Sequence, residues 1–356
     1  MRLLVINCGS ATLKYKLFEE RAGELELLIG ATAEIQGVDG YRAAVARALA
    51  AMPVSPEVIA HRVVHGGGRL PEVVRIDPEV LRVLREVTPL APLHNGPALE
   101  GIEATLDAGV PLVAALDTAF HATLPERAWR YAIPDVPGVR RYGFHGWSHR
   151  WVTERYAALA GSPEPTIITL HLGGGCSAAA IRRGRSIDTS MGYSPLEGLV
   201  MGTRAGDLDP AILTHLLRDG TSLPRLEHML NHEAGLAALA GTGDVRELLA
   251  RHDPAAALAI DIFSYHIRKY VGAYLAVLEG AEALVFTGGI GEHAPEVRRR
   301  VCEGFRWAGL TLDAGRNQGH GPRISTDDSH LAAYVIPTDE ERLIARETLR
   351  LMRGKA

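Results

Sequence analysis

Two spacings of apolar residues run through the chain. Arg2–Cys8 (RLLVINC) is an apolar run broken by Asn7, Cys8, Gly9, Ser10 and Thr12, after which residues alternate as far as Phe18. Run, polar turn and alternating run predict a strand–turn–strand hairpin. Thr166–Met191 repeats the plan. Thr166–Leu172 is apolar and β-branched, Gly173, Gly174 and Gly175 follow, Ala178–Ile181 is a second run, and Gly184 turns the chain into Ser186–Met191. Glycine at such a tip lets backbone N–H groups approach an anion with no side chain in the way. One such tip is no more than a tight hairpin; the same plan built twice implies two related lobes.

The remaining pattern fills in both halves. Leu25–Ile29 and Ala31–Ile35 read as strands, Tyr41–Ala51 as a helix capped by Asp39, and Val58–Val64 as a strand. Helices are expected at Pro78–Val87 and Asn95–Ala108, then a strand at Pro111–Leu116. Pro134–Arg150, with its Pro and Gly, reads as a crossing between lobes, and a helix follows at Ser148–Leu159. In the second half helices are expected at Pro210–Arg218, Pro224–Glu233, Val245–Arg251 and Pro254–Glu279. A strand at Ala283–Thr287 runs into Gly288–Gly291, Pro295 opens another helix, and Val335–Ile336 and Glu341–Met352 close the chain as strand and helix.

Composition narrows the classes. At 356 residues the chain is long for one core, so two domains are expected. A net charge of −4 with no basic block argues against nucleic acid as a main partner. No apolar segment is long enough to span a bilayer, and none at the start reads as a signal peptide. Three scattered cysteines, Cys8, Cys176 and Cys302, fit a reducing cytoplasm better than a disulfide scaffold or structural zinc. Lysine is rare, yet Lys14 and Lys16 both lie in the first hairpin. Lys14, just past the polar turn, is the better ligand candidate, and Lys16 suits a solvated strand face.

Several motifs bear on chemistry. There is no G-x-x-x-x-G-K-[ST]. Gly289–Ala294 fits G-x-G-x-x-A, with Asp313 placed as a ribose-binding acid would be, but it stands late in the chain with no expected parallel βαβ unit after it. A glycine turn at a helix N-terminus, suited to phosphate or adenosine, is the simpler reading. His65-Gly66-Gly67-Gly68 suggests a hydrolase oxyanion hole, yet the nearest nucleophile elbow, Gly146–Arg150, lacks its last glycine.

Taken together, VINCGSATLK, HRVVHGG, PLHNG, DTAFH, RRYGFHGWSH, HLGGG, SMGYSPLEGLVMGTRAGDLDP, TGGIGE and IPTDEE resemble the acetate kinase family of short-chain carboxylate kinases. They run from Asn7 to Glu341 in the family's order. The resemblance implies an α/β fold of two duplicated actin-like (ribonuclease H-like) lobes with an interlobe active-site cleft, the lobes being 1–148 plus 343–356 and 149–342. It implies reversible Mg²⁺-dependent transfer of the ATP γ-phosphoryl group to acetate, giving acetyl phosphate and ADP, with Mn²⁺ as a substitute metal and a cytoplasmic homodimer as the working form. By motif position, Asn7, Asp117 and Glu340 would surround the metal, with Asp117 also orienting for catalysis. Lys14 would face the nucleotide phosphates. Arg62 would hold the acetate carboxylate, and Arg204 and His145 the transferring phosphoryl group. Val64, Leu93, Phe144 and Pro195 would enclose the methyl group. His171, Leu172, Gly173, Gly174, Gly175, Asp244, Val245, Arg246, Gly289, Ile290, Gly291, Glu292 and His293 would bind ATP.

That assignment agrees with the chemistry. Phosphoryl transfer needs alignment and charge neutralisation more than covalent help, and guanidinium forks suit both carboxylate and phosphate. Replacing Arg62 or Arg204 by alanine should therefore cost on the order of 10²-fold in turnover with the fold intact. The chain departs from the family at Ser10-Ala11-Thr12, Gly174, Cys176 and His293, all on the nucleotide side, and it is shorter between Phe18 and Arg62. Propionate or butyrate as the preferred acid, and a non-catalytic actin-like nucleotide-binding module, are the alternatives.

Overall fold

The computed structural model describes residues 1–9, 12–35 and 40–354, without the side chains of 92 and 93. Ser10 and Ala11 of the first turn, the expected cap Asp39 and the side chain of Leu93 lie outside the described residues. The chain divides into two units, Met1–Ala122 with Asp339–Ala356, and Thr123–Thr338.

In the first unit β1 (Arg2–Cys8), β2 (Thr12–Arg21) and β3 (Glu24–Glu34) form an antiparallel meander. β1 also pairs in parallel with β4 (Val58–Val63), and β4 with β6 (Leu112–Leu116); β5 (Val73–Arg75) is an antiparallel edge, giving the order β3-β2-β1-β4-β6-β5. The two strands expected at 25–35 are one, because Gly30 stays in register opposite Lys16 and needs no turn. Helix α1 (Gly40–Ala50) precedes β4. Helices α2 (Pro78–Val87) and α3 (Pro92–Glu103) lie between β4 and β6. α3 starts earlier than expected, since Pro92 at a first helical position loses no hydrogen bond. The central strands are buried on both faces, as parallel strands covered by helices are. One core cluster joins Leu4, Ile6, Leu17 and Ile59 to Val45 of α1; another joins Val63 and Leu116 to Leu84 of α2 and Ile102 of α3.

The second unit has β7 (Ile167–Leu172), β8 (Cys176–Arg182) and β9 (Arg185–Thr189) in an antiparallel meander, with β10 (Ala283–Thr287) and β11 (Ala332–Val335) parallel to β7. Its order, β11-β10-β7-β8-β9, repeats β6-β4-β1-β2-β3 in sequence and sense. The duplication inferred from two hairpins thus extends to whole sheets. β10 and β11 are a parallel pair with the helix Pro295–Glu303 between them, so the parallel unit thought absent after Gly289 does exist. Asp313, spaced as a ribose-binding acid would be, caps a later helix by accepting from the Arg316 N–H at 2.9 Å.

Residues 123–148 fall in the second unit, ahead of the boundary expected at 148. Two contacts hold them there. The Thr123 hydroxyl donates to the Ser186 carbonyl at 2.7 Å, and Arg141 Nη1 donates to the carbonyls of Thr189, Ser190 and Met191 at 3.1–3.2 Å. At the other end the chain re-enters the first unit at Asp339 and forms the helix Glu340–Met352, which packs on β1, β2 and β4.

Candidate active-site clusters

In open α/β sheets, chemistry gathers at the carboxyl ends of the parallel strands. In the first unit those ends present Asn7 on β1, Arg62 on β4 and Asp117 just after β6; Asn7 and Arg62 are register partners. Strand alternation turns His61 to the opposite face, where its Nε2 meets the Thr105 hydroxyl at 2.9 Å. Arg62 Nη2 binds Asp117 Oδ2 at 2.9 Å, Nε lies 3.3 Å from Glu340 Oε2, and Nη1 donates to Asn7 Oδ1 at 3.4 Å. All three expected metal ligands therefore converge on one guanidinium. The group is nearly dry, with side chains of Arg62, Asp117 and Glu340 exposed by 12%, 1% and 13%. Burial, then the charges of Asp117 and Glu341, push the Glu340 carboxyl up to about 7 against the pull of Arg62 and Lys14. Burial opposes the Arg62 charge, but Asp117, Glu340 and Glu341 more than reverse this and raise its pKa.

This donor set fits a hard divalent ion. Two carboxylates and an amide oxygen are what Mg²⁺ takes when it keeps several waters or phosphate oxygens. Glu340's difficulty in ionising marks a place short of positive charge. Among the described residues no group of three His, Cys, Asp or Glu is placed to chelate an ion alone. Lys16 is not the solvated lysine expected: its Nζ binds Asp339 at 2.7 Å and Glu341 at 3.0 Å, fastening the end of IPTDEE to β2. Lys14 is exposed.

HRVVHGG and PLHNG meet through a reciprocal clamp. The His65 N–H donates to Asn95 Oδ1 at 3.0 Å, and Asn95 Nδ2 donates back to the His65 carbonyl at 2.9 Å. The clamp holds the chain just after Val64, which is buried.

The second unit carries the other cluster. His145 sits at φ 56° ahead of the helix Gly146–Ala160, a backbone region that non-glycine residues rarely occupy and that is concentrated at functional sites. Its ring stacks on His171 with centroids 4.2 Å apart, and its Nδ1 meets Ser177 Oγ at 2.9 Å. A methyl group placed on Gly175 would lie 3.4 Å from His145 Nε2 and 3.7 Å from Arg204 Nη1. Two nitrogen donors thus converge on the space that the missing side chain leaves. Among the described residues Arg204 forms no ion pair; Nη1 reaches the Pro195 carbonyl at 3.4 Å and Met201 Sδ at 4.0 Å. Burial lowers its pKa, and no carboxylate offsets that. A fork so placed is short of an anion.

Nucleotide candidates gather around the same hairpin. The Gly202 N–H donates to the Gly174 carbonyl at 3.2 Å, and a side chain on Gly202 would stand 3.3 Å from the Gly243 carbonyl. Gly173–Gly175, the MGTRAG loop and the segment before Asp244 are therefore packed together. Asp244 and Arg246 pair with each other at 2.6 Å on the surface, on either side of Val245, which is buried. Gly288–His293, expected as a turn, is a short helix. Within it the Glu292 carboxylate accepts from Gly288 N–H at 3.0 Å and Thr338 N–H at 3.1 Å, tying the ends of β10 and β11, while Gly289, Ile290, Gly291 and His293 make up the rest. Phe144 is buried. Asn7, Lys14, Arg62, Val64, Leu93, Asp117 and Glu340 belong to the first unit, and the other candidates to the second.

Sequence reasoning overlooked several residues. Arg141, from RRYGFHG, holds the loop after β9, and its Nη2 also binds Glu197 of PLEG. Arg298 is fully buried and donates to the carbonyls of Gly291 and Glu292 at 2.8 Å and to Asn317 Oδ1 at 2.8 Å, bracing the helix Gly288–His293. His149, Ser177 and Thr169 form a buried hydrogen-bonded line behind His145. Only His149 had a signal, as the last residue of a quoted motif.

Comparison with known proteins places this arrangement. The profile of the Acetokinase family matches residues 45–346. The chain is 42% identical to the acetate kinase of Chloroherpeton thalassium over the full length of both, and 51% identical to that of Solibacter usitatus over 83% of this chain and 76% of that one. It superposes on the crystal structure of Porphyromonas gingivalis acetate kinase with a TM-score of 0.88 at 36% identity, covering 99% of each chain. A propionate kinase from Francisella tularensis gives 0.90 at 35% identity, covering 97% of this chain and 98% of that one.

Proposed function

The chain belongs to the acetokinase family, and from that premise we propose that it transfers the γ-phosphoryl group of ATP to acetate, reversibly, giving acetyl phosphate and ADP. It is a phosphotransferase with a carboxyl group as acceptor. The reading is supported by two incomplete charge sets, one in each unit: in the first a buried carboxylate cluster short of cation, and in the second a guanidinium and an imidazole aimed at one empty space. Asn7, Asp117 and Glu340 would hold Mg²⁺, or Mn²⁺ in its place, where it would supply positive charge to the phosphates. Arg62 binds the acceptor carboxylate and Arg204 and His145 bind the moving phosphoryl group, which passes directly in line with no phosphorylated side chain. The turn at Gly173–Gly175, Asp244–Arg246 and Gly289–His293 holds the nucleotide, with Lys14 on its phosphates.

Acetate is preferred over propionate and butyrate. Val64 is branched and buried beside a rigid clamp, and an added methylene changes discrimination by roughly 1–3 kcal/mol. The named relatives include enzymes for both acids, so specificity rests on the pocket of Val64, Leu93, Phe144 and Pro195. Three unpaired buried cysteines support a reducing cytoplasm. Leu208, Ile212, Leu217 and Leu223, exposed on and beside the helix Pro210–Arg218, support a homodimer. The test is a panel of acetate, propionate and butyrate against ATP, GTP and pyrophosphate with Mg²⁺, the acyl phosphate being trapped by hydroxylamine. Acetate with ATP should give the highest kcat/KM. No hydroxamate from any acid would end the proposal.

A further inference from the structure

Behind His145 lies a line of polar atoms with one way to distribute its protons. His145 Nδ1 is 2.9 Å from Ser177 Oγ, Ser177 Oγ is 2.7 Å from His149 Nε2, and His149 Nδ1 is 2.7 Å from Thr169 Oγ1. Ser177, His149 and Thr169 have no exposed surface. Among the described residues the Thr169 hydroxyl has no other partner than His149, and the Ser177 hydroxyl none beyond the two imidazoles.

We propose that Thr169, His149 and Ser177 are positioning residues that hold neutral His145 with its proton on Nε2, aimed at the transferring phosphoryl group. The inference rests on the kinase reading for what His145 does, but not for how its proton is placed. A buried hydroxyl proton left without an acceptor costs about 1–3 kcal/mol. Thr169 therefore donates to His149 Nδ1, the one acceptor within reach. His149 must then carry its proton on Nε2 and donate it to Ser177 Oγ. With that oxygen accepting, the Ser177 hydroxyl donates to His145 Nδ1. The last proton is left on His145 Nε2, the nitrogen 3.4 Å from the space above Gly175. The opposite direction would place both imidazole protons on Nδ1. It would leave Thr169 with a stranded hydrogen and turn a lone pair of His145 toward an anion. Each ring has two nitrogens with distinct roles, and the partner of one sets the state of the other. His145 thus donates to phosphate without first being protonated.

The test uses the full chain labelled with ¹⁵N-histidine, read by long-range proton–nitrogen correlation without substrates, the rings being assigned by His145→Gln and His149→Gln. Both rings should show the Nε2–H tautomer. Ser177→Ala should blur the His145 tautomer, and Thr169→Val, which touches only His149, should perturb both rings. In the hydroxamate assay Ser177→Ala should lower kcat roughly tenfold, less than loss of His145 itself, with KM for ATP and acetate within about twofold. An Nδ1–H tautomer on either ring of the unsubstituted protein would overturn the relay, as would a Ser177→Ala protein with unchanged His145 signals and kcat. Absence of acyl phosphate from the unsubstituted protein would sink the kinase reading alone, because the tautomer spectrum is recorded without substrate.

Discussion

Arg62→Met should be a stability mutation before it is a catalytic one. The guanidinium sits 2.9 Å from Asp117, 3.3 Å from Glu340 and 3.4 Å from Asn7, in a cluster with almost no solvent. At an effective dielectric constant of about 20, one ion pair at about 3 Å is worth roughly 5 kcal/mol before desolvation. Methionine keeps most of the volume and removes the charge, so two carboxylates remain buried and face each other. Breaking a buried pair in this way typically costs about 3–5 kcal/mol. Urea unfolding followed by fluorescence and circular dichroism, without metal or nucleotide, should register a loss of that size. Adding Asp117→Asn to the variant removes the carboxylate that stood nearest to Arg62 and should recover about 1–2 kcal/mol. A variant as stable as the parent, or a double variant with no recovery, would show that Arg62 is not the keystone of this cluster. This sets an expected loss of stability against the sequence-based expectation that alanine at Arg62 leaves the fold intact, and the same urea experiment on Arg62→Ala decides between them.

Arg204→Met should behave oppositely, losing about 10²–10³-fold in kcat with no fall in melting temperature, since among the described residues this fork has no ion pair to break; a marked loss of stability would contradict its reading as a waiting anion site. Acid should weaken the fold through two buried histidines, His61 held down to about 3 and His65 to about 4, both by burial. The unfolded chain takes up these protons first, so their contribution is complete above pH of about 6.5 and falls by up to about 1.4 kcal/mol per pH unit for each group below it. His61→Gln should flatten urea stability measured between pH 6.5 and 4.5, and an unchanged slope would remove His61 from the explanation. Burial raises the thiols of Cys8, Cys176 and Cys302 to about 12, so a thiol reagent at pH 8 should label none of them until denaturant is added; rapid labelling of Cys8 or Cys176 in the folded protein would show that these hairpins open.

What the sequence revealed follows from the range of the interactions. Hairpins, caps and helices opened by proline are local, and the repeat of β1-β2-β3 in β7-β8-β9 could be read from two glycine- or polar-tipped runs. Resemblance of the motifs supplied the candidates Asn7, Arg62, Asp117 and Glu340, and the structure brings them to one guanidinium. Periodicity could not show that Lys16 would find Asp339, 323 residues further on. Nor could it place residues 123–148 with the second unit, since that depends on Arg141 reaching three carbonyls after β9. β5 was missed because three residues set no period. Ser177 and Thr169 were invisible for a related reason: a small hydroxyl inside a strand reads as filler until its partners are known.

The stereochemical course at phosphorus tests the central claim most directly. With ATP made chiral at the γ-phosphoryl group by oxygen isotopes, one direct in-line transfer to acetate predicts inversion of configuration in the acetyl phosphate formed. Retention would require an even number of transfers through a phosphorylated side chain and would contradict the account.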